Sequence, residues 1–469
     1  MKKMKKSKSE KKQNVHIIIE KFLKSYRRHC TQTSSTISPM LMENLQKCIE
    51  NERMLTKFIL ARPEASEVDL PAVTLQPLLM TIRDERYMYG KELCVWHITL
   101  NNEDVANLAL VLELRGRTSY PFSKIELLDC GIDTWSIERL GKAVNVSALT
   151  NIVLDFNELR DEGVRGLCRG LQGNGHLLTL SMCYCVLGPP SGSLLGDLVA
   201  NTALRDLFLD GNNLQCEGAC ELIKFVADYA EKMATAKFGA SIHFKEDPSK
   251  HFLEATDQSG FYSVMSSQDF RHKASTDQAV IMDSINTASK KKKKRKHKQE
   301  FPEIAPWLSR LHLADNGIDG RGSSSTMGPI MFTEILSQLI KFSDHLMELD
   351  LDNNCLGELC GKEILKALRE RKEAKLQSLS IKVTAQMNDD TFSNILKSSK
   401  KVKKSKRKKN HCNVMVQKEA IWPIVSAPDH HISIITSCQS PAFPHREKVL
   451  DKMMGLKNRF DDLTPSVNR

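Results

Sequence analysis

One template recurs through the middle of this chain and constrains its fold more than any other feature: L-x-x-L-x-L-x-x-N/C-x-L. It stands as Leu149, Ile152, Leu154, Asn157 and Leu159 in LTNIVLDFNEL, and again as Leu204, Leu207, Leu209, Asn212 and Leu214 in LRDLFLDGNNL. Two more copies are Leu308, Leu311, Leu313, Asn316, Ile318 and Leu346, Leu349, Leu351, Asn354, Leu356. Variant copies with Cys at the Asn position run Phe122, Ile125, Leu127, Cys130, Ile132 and Leu177, Leu180, Met182, Cys185, Leu187. An opening copy is expected at Leu93, with Trp96, Ile98 and Asn101, and a degraded closing copy at Leu376, where Thr384 replaces the Asn. From Leu93 the copies start 29, 27, 28, 27, 104, 38 and 30 residues apart, so two gaps carry insertions.

The template has a physical reading. Alternating apolar positions make a short strand, and the Asn amide can satisfy backbone groups in the turn between neighbouring coils. The rest of each unit, as in CEGACELIKFVADYAE and GKEILKALRERK, spaces apolar residues by three and four and reads as helix. One strand and one helix per 27 to 30 residues predict an α/β solenoid, curved, with parallel strands on the concave face and helices outside. LRDLFLDGNNLQCEGACELIKFVAD and LMELDLDNNCLGELCGKEILKAL resemble the leucine-rich repeats of the ribonuclease-inhibitor-like class. The resemblance covers residues 93–232 and 305–397. It implies the fold, and for function only a range: inhibitors, GTPase activators, sensors, and ciliary or nuclear scaffolds.

Outside the repeats, composition sets the boundaries. Residues 1–14 read as a basic disordered tail and 15–92 as a helical N-terminal cap region, with VHIIIEKFLKSY and MLMENLQKCIENERMLTKFIL amphipathic. Residues 233–304 read as a disordered Lys-rich insert, GRGSSSTMGP (320–329) as a flexible loop, and 398–469 as a basic run with an irregular C-terminal tail. The net charge of +11 is carried by three runs, at 1–12, 290–298 and 400–409, which hold 23 of the 68 Lys and Arg residues and one of the 57 acids. The remaining chain is therefore acidic. Lys291, Lys292, Lys293, Lys294, Arg295, Lys403, Lys404, Lys406 and Arg407 are the candidates for localisation or polyanion contact, with RNA, the nucleus or nucleolus, and the cytoskeleton or cilium as destinations. The odd number of cysteines, 13, without a secretory leader reads as reduced thiols in an intracellular compartment, and no apolar run approaches a membrane span.

Motifs for chemistry are sparse. There is no GxxxxGK[ST] loop and no HExxH, and GLQGNG (Gly170 to Gly175) follows a helix rather than a strand, so neither enzyme activity nor a cofactor is expected. The pairs Cys183 with Cys185, Cys216 with Cys220 and Cys355 with Cys360 fall on repeat positions, which reads as structural thiols and not a metal site. Arg160 and Arg321 stand where loops project, and an arginine supplied in trans is the alternative reading, GTPase activation.

The concave wall is the better candidate. Numbering the template from its first Leu, positions 2, 3, 5, 7 and 8 hold Glu126, Asp129, Asp155, Asp206, Asp210, Asp315, Glu348, Asp350 and Asp352 against Lys124, Arg205 and Arg310. Phe156, Tyr184 and Phe208 interleave with these acids as candidate interface anchors. A wall of this sign repels phosphate backbones. The sequence thus reads as a non-enzymatic protein-interaction scaffold whose acidic wall takes a basic protein partner, with polyanion binding confined to the Lys runs.

Overall fold

The computed structural model describes residues 2–62, 72–113, 119–243, 305–321 and 327–399. The chain divides into two units, Met1–Ser405 and Lys406–Arg469, and every described residue lies in the first. Two helices open it, α1 (Lys2–Gln32) and α2 (Pro39–Glu50), before the first strand, β1 (Lys57–Ala61), and α3 (Gln76–Asp84). Strand and helix then alternate: β2 (Glu92–Trp96), α4 (Asn102–Glu113), β3 (Lys124–Leu128), α5 (Thr134–Val146), β4 (Asn151–Val153), α6 (Arg160–Leu171), β5 (Thr179–Ser181) and α7 (Pro190–Ala200). The series continues with β6 (Asp206–Phe208), α8 (Gln215–His243), β7 (Arg310–His312), α9 (Gly328–Phe342), β8 (Glu348–Leu351), α10 (Gly357–Glu373), β9 (Ser380–Val383) and α11 (Asp389–Ser399).

The nine strands form one parallel sheet in sequence order. Ile125, Ile152, Leu180, Leu207, Leu311 and Leu349 stand side by side in its register, so template position 4 forms one buried row. Neighbouring strands lie about 4.8 Å apart. Packed helices need about 8–10 Å, and a stack of such coils bends toward its strands. The expected leucine-rich-repeat solenoid is the observed fold.

The Asn of the template does the work expected of it. Asn157 donates through Nδ2 to the carbonyls of Leu127 (2.8 Å) and Leu154 (2.7 Å), and its Oδ1 accepts from the N–H groups of Cys130 (3.0 Å) and Ile132 (3.4 Å). Asn212 and Asn354 repeat this pattern one coil back. Where Cys fills the place it still reaches the carbonyl of the preceding coil, as Cys185 Sγ does toward Leu154 O (3.3 Å).

Three expectations are corrected. First, the array begins one strand before Leu93. Leu55, Phe58 and Leu60 fill positions 1, 4 and 6 of a coil that was expected to be helix, and β1 pairs with β2. Second, the end copies sit in a different register: Leu93 pairs with Ile125 and therefore holds position 4, which puts Gly90 at position 1 and Ile98 at the Asn position. At the other end Ile381 pairs with Leu349, two residues out from the copy expected at Leu376. Third, two helices run past the boundaries expected for them. α1 starts at Lys2, and α8 passes residue 232 to end at His243. Among the residues of α8 whose burial is described, which end at Lys237, Ala230 is the last buried apolar one, and Lys237 pairs with Asp344.

Both ends of the sheet are sealed. At the start, Phe22 of α1 packs on Phe58 (ring centroids 5.8 Å) and Tyr87 (4.8 Å), and Tyr87 donates to Leu55 O (2.9 Å). At the other end, α11 covers β9 through the buried Ile395.

Candidate functional site: the strand face

Positions 4 and 6 of each coil point into the core, which leaves positions 3, 5, 7 and 8 to build the opposite face. β3 shows the rule: Ile125 and Leu127 are buried, while Lys124, Glu126 and Leu128 are partly exposed. Side by side, position 3 reads Lys57, Glu92, Lys124, Asn151, Thr179, Asp206, Arg310, Glu348 and Ser380. Position 8 is left-handed backbone in seven successive coils, from His97 (φ 56°) through Asp129, Phe156, Tyr184, Gly211 and Asp315 to Asn353 (φ 54°). The face is therefore a fixed lattice of side chains.

The acids expected on this face are there, but several already hold cations. Asp206 pairs with Arg310 of the next strand (2.6 Å), Asp350 with Lys382 (2.6 Å), and Glu126 with Lys124. Burial opposes the charge on Glu126, yet hydrogen bonds from Lys124 and the Cys94 thiol outweigh it and hold its carboxyl below the usual range. Asp129 faces His97 at 3.1 Å.

A second set is held by neutral donors. Asp155 Oδ1 accepts from Ser181 Oγ (2.6 Å) and Cys183 N (2.9 Å), and Asp210 Oδ1 accepts from Ala314 N (2.9 Å). Both occupy position 7 and tie their coil to the position 7 amide of the next. Burial pushes the Asp155 carboxyl up to about 6, and the neighbouring carboxylates of Asp210 and Glu126 add to the shift. Asp315 accepts from Asn353 Nδ2 (2.8 Å), while Asp352 accepts from Asn353 N (3.0 Å) and Thr384 Oγ1 (3.1 Å), and both acids are exposed.

His312 stands at the centre of the acidic stretch. Its Nδ1 lies 3.6 Å from Asp210 and its Nε2 3.3 Å from Glu348. Burial disfavours the imidazolium, but Asp210, Asp350 and Glu348 together prevail and raise its pKa above the ordinary value.

The aromatic residues come together as stacks more than as free anchors. Phe156 and Tyr184 stack at 4.9 Å with their planes 2° apart, and Phe156 is buried. The Tyr184 ring also roofs Gly211, whose φ is +69° and where a Cβ would lie 2.2 Å from that ring. Phe208 meets His312 edge-on (4.6 Å) under the Arg310 guanidinium (5.3 Å).

Sequence reasoning placed one residue wrongly and missed others. Arg205 leaves this face, donating to the carbonyls of Ala305 (3.2 Å) and Trp307 (3.3 Å) with its guanidinium over the Trp307 ring. His312 was legible as position 5 of its copy, but its charge depends on its neighbours. Lys57, Glu92 and Lys382 belong to the end coils whose register the sequence hid.

Arg160 and Arg321 each pair with a nearby acid, Glu158 and Asp319, both at 3.6 Å. Cys216 donates to Asp319 O (3.3 Å), and burial pushes the Cys130 thiol up to about 12. Among the described residues no three His, Cys, Asp or Glu side chains form a group suited to a metal ion. Also among them, no helix is long and apolar enough to cross a membrane. Lys291, Lys292, Lys293, Lys294, Arg295, Lys403, Lys404, Lys406 and Arg407 lie outside the described residues.

No known family profile matches the chain. Over 129 residues it is 31% identical to a ribonuclease inhibitor from Mus musculus. That stretch is 27% of this chain and 28% of the relative, so the match spans little more than a quarter of either protein. Together with nine parallel strands backed by helices, the similarity places the fold among leucine-rich-repeat solenoids.

Proposed function

We propose that the strand face is a docking surface for a basic protein partner, and that the protein acts as a non-enzymatic scaffold. One observation carries this reading: Asp155, Asp210, Asp315 and Asp352 are positioned by hydroxyl, amide and backbone donors and not by Lys or Arg. Apart from that of Asp210, which faces the His312 imidazole at 3.6 Å, their charge is held in a fixed lattice and remains to be compensated from outside, which favours a complementary surface and fast, steered association. Tyr184 and Phe208, half-buried beside these acids, supply apolar contact area. The fold supports the reading, because a solenoid presents one broad rigid face. So does the relative, whose name records inhibition of a ribonuclease, itself a protein. In the same reading the Lys runs locate the scaffold at the nucleus or the cilium, or tether it to a polyanion.

The test is charge reversal on each side of the solenoid. Asp315→Lys with Asp352→Lys should weaken binding of the basic partner at least about tenfold and flatten its salt dependence. Asp228→Lys with Glu334→Lys, exposed on α8 and α9, should leave it unchanged. Equal losses from both pairs would remove the strand face from the interaction.

A further inference from the structure

A second groove, away from the strand face, has the opposite charge. It opens between the C-terminal halves of α10 and α11 and the segment 376–379 that leads into β9, with a volume of about 550 Å³. Its floor is apolar, made by Leu365, Leu368 and Leu379. Arg369, Lys372 and Lys397 line its rim, all exposed, and none of the three makes an ion pair among the described residues.

Arg371 adds the decisive feature. It lies on the same groove, is only 2% exposed, and spends its guanidinium on four carbonyls, those of Gln377, Ile340, Ser343 and Leu346. No carboxylate touches it, and burial pulls its pKa down to about 10. A buried cation hydrogen-bonded only to carbonyls, with the Asp344 carboxylate acting on it only from a distance, leaves net positive potential at the nearest opening. Basic residues in the last turn of a helix also complement the helix dipole. That accounts for Lys372 and Lys397 singly, but not for four cations converging on one apolar floor.

We infer that this groove receives an acidic polypeptide segment carrying apolar side chains: its carboxylates meet Arg369, Lys372 and Lys397, and its apolar groups settle on the leucine floor. The site is independent of the strand face and selects the opposite partner charge, so a solenoid of this design holds two proteins of unlike sign at once.

The experiment uses the full chain and two fluorescein-labelled synthetic peptides of equal length and charge, one alternating Leu and Glu, the other Ser and Glu, read by fluorescence anisotropy. The Leu/Glu peptide should bind at least about tenfold more tightly than the Ser/Glu peptide, because only the groove rewards apolar burial. Arg369→Glu with Lys372→Glu and Lys397→Glu should remove that preference. The milder pair Lys372→Gln with Lys397→Gln should reduce it in a chain whose melting curve matches the wild type. Equal binding of the two peptides would trace the effect to the Lys runs and overturn the proposal. So would a preference that survives the triple substitution. A labelled oligouridine that loses affinity with the same substitutions as the Leu/Glu peptide would reassign the groove to nucleic acid, which also overturns it.

Discussion

At the scale of single residues, the coil is closed by one amide. Asn157 satisfies two carbonyls and two N–H groups across the junction between consecutive coils, and it is wholly buried. Replacing it with Ala leaves those groups unpaired in the core, so Asn157→Ala should cost about 3 kcal/mol in urea unfolding. Asn157→Cys should cost about half as much, since Cys130 and Cys185 show that a thiol at this place keeps a bond to the preceding coil. Asp155 behaves in the opposite sense. Burial raises its carboxyl to about 6, so between roughly pH 4 and 6 the folded chain binds the extra proton and stability falls as pH rises. Asp155→Asn keeps the Oδ1 acceptor and removes the charge. It should stabilise the protein by about 1–2 kcal/mol at pH 7.5, a value discounted for partial solvent contact, with the gain gone by pH 4. Urea titrations of both proteins at the two pH values check this.

At the scale of elements, helices approach most closely where both carry glycine. A Cβ placed on Gly192 of α7 would lie 2.0 Å from the Gly218 carbonyl oxygen of α8, and one on Gly170 of α6 would lie 2.7 Å from the Gly141 carbonyl carbon of α5. Gly192→Ala must push backbone against backbone, and a loss of about 2–3 kcal/mol in thermal unfolding is expected. The same change at Gly175, which has open space around it, should cost well under 1 kcal/mol. Element by element, the sequence revealed what periodicity encodes. The six regular copies set the register of β3 through β8, because Leu and Asn recur at fixed places. β1 escaped notice because Pro63 falls at its Asn position and no turn amide marks it. β2 was displaced by three residues because Asn101 imitates the signature, while the run Leu93, Cys94, Val95 and Trp96 is buried throughout and shows no alternation.

At the scale of the molecule, charge is sorted by surface. The sequence disclosed the sign of the strand face, because the template says which residues point away from the core. It did not disclose which acids are already paired. Asp206 with Arg310 is a contact between residues 104 apart in sequence, and Asp350 with Lys382 depends on a coil whose register was concealed. The working charge of the face therefore resides in fewer residues than composition suggests, chiefly Asp155, Asp210, Asp315 and Asp352, with His312 adding an imidazolium as pH falls. The basic groove beside α11 was invisible in the sequence, since its cations come from two helices and its floor from α10 together with the segment that leads into β9.

The central claim is that the strand face holds the partner. It is tested most directly by placing a photo-crosslinking amino acid at Asp352, exposed on the strand side, and separately at Phe225, 45% exposed on α8. Irradiation in the native cell should join a basic protein to position 352 in a salt-sensitive manner and leave position 225 without that product. The same protein crosslinked at 225 and absent at 352 would show that the helices, and not the strands, carry the interaction.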